Sequence, residues 1–363
     1  MSILNLLIVE DKSSEDYLRW IKAFNLGKEV QIESTVITKK EQAVNLLSDS
    51  NVYFDAAIVD LRLSDTEVDF GGRKIVEIIK DNLRFPIFVL TGNPEAIEDE
   101  KQNENDFFKV FVKGEENAVF DVLLDEIVKL YNTGITNILG KTGQIEKYLN
   151  DIFWNHLSNS INIWASDISR TPVQKEKALL RYTLSHIQEH LDLTENGESF
   201  EHYTPSEFYI TPPIKPNLFT GDIVKFLGNK CIVLNPACDF GNRKIDNILL
   251  ITIKEWESID AEFDKRPISK GKENKLREHI SNKVPRFHFI PKTNTIDAGF
   301  IDFQDKKTYD AKRVNFLIEK DKINRIATVS APFLKDIISR YSNYYSRQGS
   351  PDFNVDEVYN SLL

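Results

Sequence analysis

Apolar residues in the first third of the chain come in short unbroken runs: LLIV at 6–9, AAIV at 56–59, FVL at 88–90 and VFV at 110–112. A continuous run of three or four such residues reads as a strand buried on both faces, the kind found in a parallel sheet covered by helices. The pattern predicts strands near 4–9, 30–36, 55–60, 86–91 and 107–112, with helices near 14–25, 39–48, 72–82, 94–100 and 116–131. Strict alternation of the two kinds of element predicts an α/β doubly wound, parallel five-stranded sheet over residues 1–132.

The periodicity then changes. The stretch NTGITNILGKTGQ, 132–144, carries three glycines and no clear period, so a linker is expected at 133–144. From Ile145 to about Leu193 the spacing is helical: Ile145, Leu149, Ile152, Phe153, Leu157, Ile161 and Trp164 recur at steps of three or four. Thr171 followed by Pro172 signals a second helix start. Strand-like runs follow at 208–324 (FYITP, GDIVKFL, KCIVLNPA, ILLITI, RFHFIP, GFIDF and RVNFLI), broken by a charged stretch at 264–275. A helix is expected at 331–348. Residues 145–363 thus read as an α+β domain with a helical lead-in (145–193) and a β-rich part, for which a partly open barrel is one form. The lead-in helices carry enough large apolar side chains to serve as a contact surface for the first domain or for a second copy, a homodimer.

The 363 residues are enough for two domains, each with its own core. Composition mainly excludes. With 46 basic and 56 acidic residues, the formal net charge is -10, which argues against broad affinity for nucleic acid or anionic membrane. Two cysteines, Cys231 and Cys238, are too few for a disulfide scaffold or a four-thiolate metal site. The N-terminal MSILNLLIVEDK has no cationic leader and reads as a first strand, and no run approaches membrane-spanning length. A cytoplasmic protein is expected.

The polar residues that end the apolar runs carry the chemistry. Glu10 and Asp11 follow the first run, Asp60 the second, Thr91 the third and Lys113 the fourth. Ligands of open α/β sheets collect where parallel strands end. Mg2+ prefers oxygen donors and is satisfied by two or three carboxylates with water. A carboxylate can also attack phosphorus. Asp60, on the central strand between the acidic pair and the Thr91/Lys113 pair, is the natural acceptor. Lys113 would offset phosphoryl charge and Thr91 could donate to a phosphoryl oxygen. On this reading Lys113 serves the phosphoryl group and not the fold, so its removal should leave the unmodified protein at least as stable.

The segments IVED (8–11), IVDLRL (58–63), VLTGNP (89–94) and VFVKG (110–114) resemble, in order and spacing, the receiver domain of two-component response regulators. The resemblance implies that Asp60 is the phosphoacceptor and that Glu10, Asp11 and Asp60 bind Mg2+ with the Arg62 carbonyl. It further implies that Thr91 is the switch hydroxyl, that Lys113 holds the phosphoryl group, and that the donor is a histidine kinase or phosphotransfer protein. Three features depart from the family: Gly114 stands in place of the usual cis-proline, Val110 replaces an aromatic residue, and the loop after Asp60 (SDTEVDFGG) is longer. The implied function is a phosphorylation switch or a phosphate sink. A fainter likeness is to receiver proteins that accompany histidine kinases in bacterial phage-defence operons.

An enzyme gated by the receiver is the competing reading, a nuclease or hydrolase in the second domain. GDIVKFLGNKCIVLNPACDF is loosely similar to strands of small-barrel toxins that cleave RNA, but it carries no catalytic set. Cys238 beside Asp239 reads as a buried small apolar residue, because a neighbouring carboxylate disfavours a thiolate. His186 and His190 in HIQEH match an H-x-x-E-H zinc spacing. No third ligand stands out downstream, and the other histidines, His156 among them, look scattered, so a polar helix face is favoured. Arg340, Tyr344 and Arg347 share a helical face, read as ordinary surface pairing.

Overall fold

The computed structural model describes residues 2–11, 14–63, 71–92, 104–114, 119–191, 202–260, 268–347, 349 and 351–363. The expected helix at 94–100 lies outside them. The chain divides into two compact units, Met1–Phe200 and Glu201–Leu363.

In the first unit β1 (Ser2–Val9), β2 (Val30–Ile37), β3 (Ala56–Val59), β4 (Ile87–Thr91) and β5 (Phe108–Val112) form a parallel sheet in the order β2-β1-β3-β4-β5. This is the flavodoxin-like order, in which the winding direction reverses between β1 and β3. The unbroken apolar runs follow from double burial. Leu7, Val9, Val59 and Val89 enter a core closed by α2 (Lys40–Ser48) and α3 (Gly71–Asn82). Leu6, Ile8, Ile58 and Phe88 enter the opposite core under α1 (Ser14–Phe24) and α4 (Phe120–Tyr131). Alternate residues of one strand thus supply two cores, and neither face can be polar.

The expected linker is part of this unit. Residues Ile135–Leu139 form a short helix, α5, whose buried Thr136 donates to Asp55 Oδ1 at 2.8 Å. Asp55 Oδ2 in turn accepts from the Asn5 N–H at 2.9 Å, which ties α5 to the start of the sheet. Beyond it, α6 (Gln144–Asp151) passes into a π-helical turn (Ile152–Leu157) and α7 (Ser158–Ser166). The chain then returns as α8 (Pro172–Glu189). Thr171 caps α8 in a reciprocal box with Gln174, an arrangement that stabilises a helix start by roughly 1 kcal/mol. The division at residue 200 therefore places these helices in the same unit as the parallel sheet, not in the second one. Ile152 is the one buried member of their expected apolar stripe, and Phe153, Trp154, Ile163, Leu180 and Leu184 are exposed.

The second unit is an antiparallel sheet between helices. Its strands are β6 (Tyr209–Ile210), β7 (Asp222–Phe226), β8 (Asn229–Val233), β9 (Asn247–Glu255), β10 (Phe287–Ile290), β11 (Gly299–Asp310) and β12 (Asn324–Val329). They pair in the order β10-β11-β9-β8-β7-β12-β6. The end strands β10 and β6 do not pair, so no closed barrel forms among the described residues. Between β7 and β8, Leu227 and Gly228 both take positive φ (49° and 82°), as a two-residue hairpin turn requires. The helices are α9 (Ala237–Gly241), α10 (Lys270–Ile280), α11 (Ala311–Glu319), α12 (Ala331–Ser346) and α13 (Val355–Leu362).

RVNFLI, expected as a strand, lies in α11, which the Asp310 side chain caps by accepting from Arg313 N–H at 2.9 Å. Ala311 and Val314, three apart, are its buried residues, a helical step that the apolar run conceals. The strand sits just downstream, as β12.

Candidate functional site

Glu10, Asp60 and Lys113 each occupy the first position after a strand, and Thr91 is the last residue of β4. The main chain fixes this edge. Asp60 N–H donates to Val9 O at 2.9 Å, Glu10 N–H to Ile37 O at 3.0 Å and Lys113 N–H to Thr91 O at 2.8 Å. The carboxylates therefore stand at the carboxyl ends of β1 and β3, where the winding direction reverses.

Lys113 bridges two of them. Its Nζ donates to Asp60 Oδ2 at 2.7 Å and to Glu10 Oε2 at 2.5 Å. Glu10, Asp11 and Asp60 each place a carboxylate oxygen within 4.8 Å of the others, a donor set of oxygens alone that fits a hard divalent cation such as Mg2+. Arg62 meets the site through its main chain, whose N–H donates to Asp60 Oδ1 at 3.1 Å. Thr91 is buried at the same edge.

The electrostatics follow from burial and pairing. Burial pushes the Glu10 carboxyl above its usual range, opposed by Lys113. For Lys113, burial acts to lower the ammonium pKa, but the hydrogen bonds to Asp60 and Glu10 outweigh it and hold the group above its ordinary value. Lys113 is thus a counter-charge to two buried carboxylates. Its removal should cost stability, contrary to the expectation from sequence.

Two contributors were not singled out from the sequence. Tyr17 on α1 donates its hydroxyl to Glu10 Oε2 at 3.0 Å, and burial together with the Glu10 charge raises its pKa far above normal. Nothing in the local sequence marks it, since a tyrosine on the apolar face of an amphipathic helix looks like core. Gly72 lets α3 approach the end of β3: a Cβ there would lie 2.0 Å from Asp60 O and 2.7 Å from Leu61 Cα. The paired glycines after the acidic loop were its signal.

Gly114 has φ of 97°, a conformation closed to proline. Val110 is buried on β5, three positions before Lys113.

The candidates of the second unit do not converge. Cys238 is exposed on the five-residue α9, not buried as expected, with its Sγ 3.6 Å from Asp239 Oδ1. Cys231, on β8, is the buried thiol, and burial pushes its pKa up to about 11. Arg340 pairs with Asp336 at 2.7 Å and Arg347 lies over the Tyr344 ring, ordinary helix-surface contacts. Among the described residues, no helix is long and apolar enough to cross a membrane.

The sequence matches no protein-family model and no curated protein. Solved structures to which parts of the chain are similar include a CheY-like response regulator receiver domain protein from Methanospirillum hungatei. It is 17% identical, with 37% of this chain and 100% of that one covered and a TM-score of 0.27. The phosphorylated cyanobacterial phytochrome response regulator RcpA is 18% identical, with 37% and 94% covered and a TM-score of 0.26. A MazE-MazF structure from Deinococcus radiodurans is 12% identical, with 36% and 98% covered and a TM-score of 0.23. At such scores the assignment of the flavodoxin-like fold rests on the strand order and register described above.

Proposed function

We propose that the chain is a response-regulator-like signalling protein whose first unit accepts a phosphoryl group on Asp60. The observation that carries this reading is the Lys113 ammonium held 2.7 Å from Asp60 Oδ2 and 2.5 Å from Glu10 Oε2, at a strand edge where three carboxylates gather. In the transfer, an Asp60 oxygen attacks the phosphorus of a phosphohistidine on a histidine kinase or phosphotransfer protein. The new O–P bond forms as the P–N bond breaks, and the imidazole leaves with the electron pair. Lys113 then exchanges its carboxylate contacts for a phosphoryl oxygen, and the Thr91 hydroxyl donates to another. Mg2+ held by Glu10, Asp11, Asp60 and the Arg62 carbonyl would supply positive charge to the same oxygens.

Val110 and Gly114 suit a receiver that takes phosphate without the usual conformational output, so a phosphate sink stands beside the switch. Hydrogen exchange across 145–193, compared between free and phosphorylated protein, separates the two: a switch changes exchange there and a sink leaves it unchanged. A role in phage defence belongs to the same proposal and is checked by whether a histidine kinase is encoded next to this chain.

The acceptor chemistry is tested with acetyl phosphate and intact-mass measurement. Wild type should gain one phosphate in Mg2+ and none in excess chelator. An adduct of equal yield in Asp60→Asn would refute the assignment.

A further inference from the structure

We propose that the helical hairpin of the first unit holds a divalent transition-metal ion, Zn2+ by its donor chemistry, on Asp151, His156 and His190. The three side chains each place one ligand atom within 4.8 Å of the other two. Asp151 Oδ2 lies 3.5 Å from His190 Nε2 and 3.7 Å from His156 Nε2. Ligands at roughly 2.0–2.2 Å in a tetrahedron stand about 3.4 Å apart, so both carboxylate–imidazole spacings are already those of a zinc site.

The helix geometry explains how the ligands meet. Asp151 and His156 are five residues apart, about 1.4 turns of an α-helix, which would set them on different faces. The π-helical turn Ile152–Leu157 closes i→i+5 and aligns them instead. This is why His156 looks scattered in the sequence. His190 comes from the end of the returning helix α8, so an ion here would join the two arms of the hairpin.

The surrounding groups already orient the donors. Asn155 Nδ2 donates to Asp151 Oδ1 at 2.6 Å and leaves Oδ2 facing the imidazoles. The Tyr148 ring stacks on His190 with centroids 4.8 Å apart and planes 11° apart. His186, one helical turn before His190, has its ring centroid 5.3 Å from that of His156. Its Nδ1 lies 2.8 Å from Tyr182 O, a contact that fixes the orientation of the ring packed against His156. Two imidazoles with one carboxylate select Zn2+ over Mg2+, which prefers oxygen alone. Three protein ligands leave a fourth position for water or a ligand.

The test uses the full chain, stripped with chelator and titrated with Zn2+, alongside His156→Gln, His190→Gln, their double variant and Asp60→Asn. Wild type and Asp60→Asn should each bind one equivalent at the hairpin, with a raised melting temperature. Each single histidine variant should bind at least about tenfold more weakly, and the double variant should lose both uptake and stabilisation. Co2+ in place of Zn2+ should give ligand-field bands of a tetrahedral site in wild type and not in the double variant. Circular dichroism confirms that the variants remain folded. The proposal is overturned if stripped wild type takes up no stoichiometric zinc, since the three groups are then a surface ion pair only. It is equally overturned if uptake survives in the double variant or disappears in Asp60→Asn, which would place the ion elsewhere.

Discussion

Asp60 in the first unit and Asp302 in the second each accept a lysine hydrogen bond at 2.7 Å, from Lys113 and Lys254, yet the two sites are built to opposite ends. Asp302 is saturated. Arg286 donates to both of its oxygens at 2.8 and 2.7 Å, Lys254 donates to Oδ2 and the Gln304 N–H to Oδ1 at 3.1 Å. Two cations thus converge on one fully buried carboxylate, at the register shift where β11 bends between Ile301 and Lys306. Around Asp60 the ratio is reversed: Glu10 and Asp60 share Lys113, and Asp11 stands near both of those carboxylates. A surplus of cations fixes a fold, whereas a surplus of carboxylates at an open strand edge stores repulsion that an incoming cation or phosphoryl chemistry can relieve.

The sharpest way to break this comparison is to remove each acid in turn. Asp302→Ala leaves Lys254 and Arg286 without their shared partner and should lose about 3–5 kcal/mol in denaturant unfolding. Asp60→Ala relieves repulsion among the remaining acids and should match or exceed wild type. Equal losses at the two positions would mean that Asp60 is also a structural ion-pair partner.

Acid should act on the two units with opposite sign. Burial alone would raise the Asp302 carboxyl, but the hydrogen bonds from Arg286, Lys254 and Gln304 outweigh it and hold the pKa at about 2, below the ordinary 3.8. Its stabilisation is present above pH 3.8 and is lost as pH falls toward about 2, on the order of 2 kcal/mol in total. Glu10 is raised, so the folded protein holds that proton more tightly, and its contribution falls as pH rises through the raised value. Unfolding free energy measured against pH should hold wild type above Asp302→Asn by a constant margin well above pH 3.8, with the gap closing as pH falls toward about 2; curves parallel throughout would contradict the pairing.

Lys113→Ala should lose about 1–2 kcal/mol, less than Asp302→Ala, because the lysine is partly exposed. Mg2+ at the same carboxylates should narrow that gap. An identical loss with and without Mg2+ would show that the lysine acts independently of any ion at these acids.

How much was legible in the sequence followed from how each region is buried. The parallel strands announce themselves because both faces are covered, and the residues that end them inherit fixed positions at one edge. Hence Glu10, Asp60, Thr91 and Lys113 could be placed from spacing alone. Tyr17 could not, because its contact with Glu10 depends on how α1 packs and leaves no mark in local pattern. The run at 313–318 reads equally as strand or helix, and the Asp310 cap decided it. His156 was hidden by a π-turn that no α-helical period reveals. Cys238 was misplaced because a Pro-initiated five-residue helix carries it to the surface.

The account stands most directly on where the phosphoryl group resides. After reaction with acetyl phosphate in Mg2+, borohydride reduction converts an aspartyl-phosphate to homoserine, which peptide mass mapping can assign to a position. The account predicts homoserine at residue 60 and at no other aspartate. A borohydride-resistant phosphate, or homoserine at another position, would contradict it.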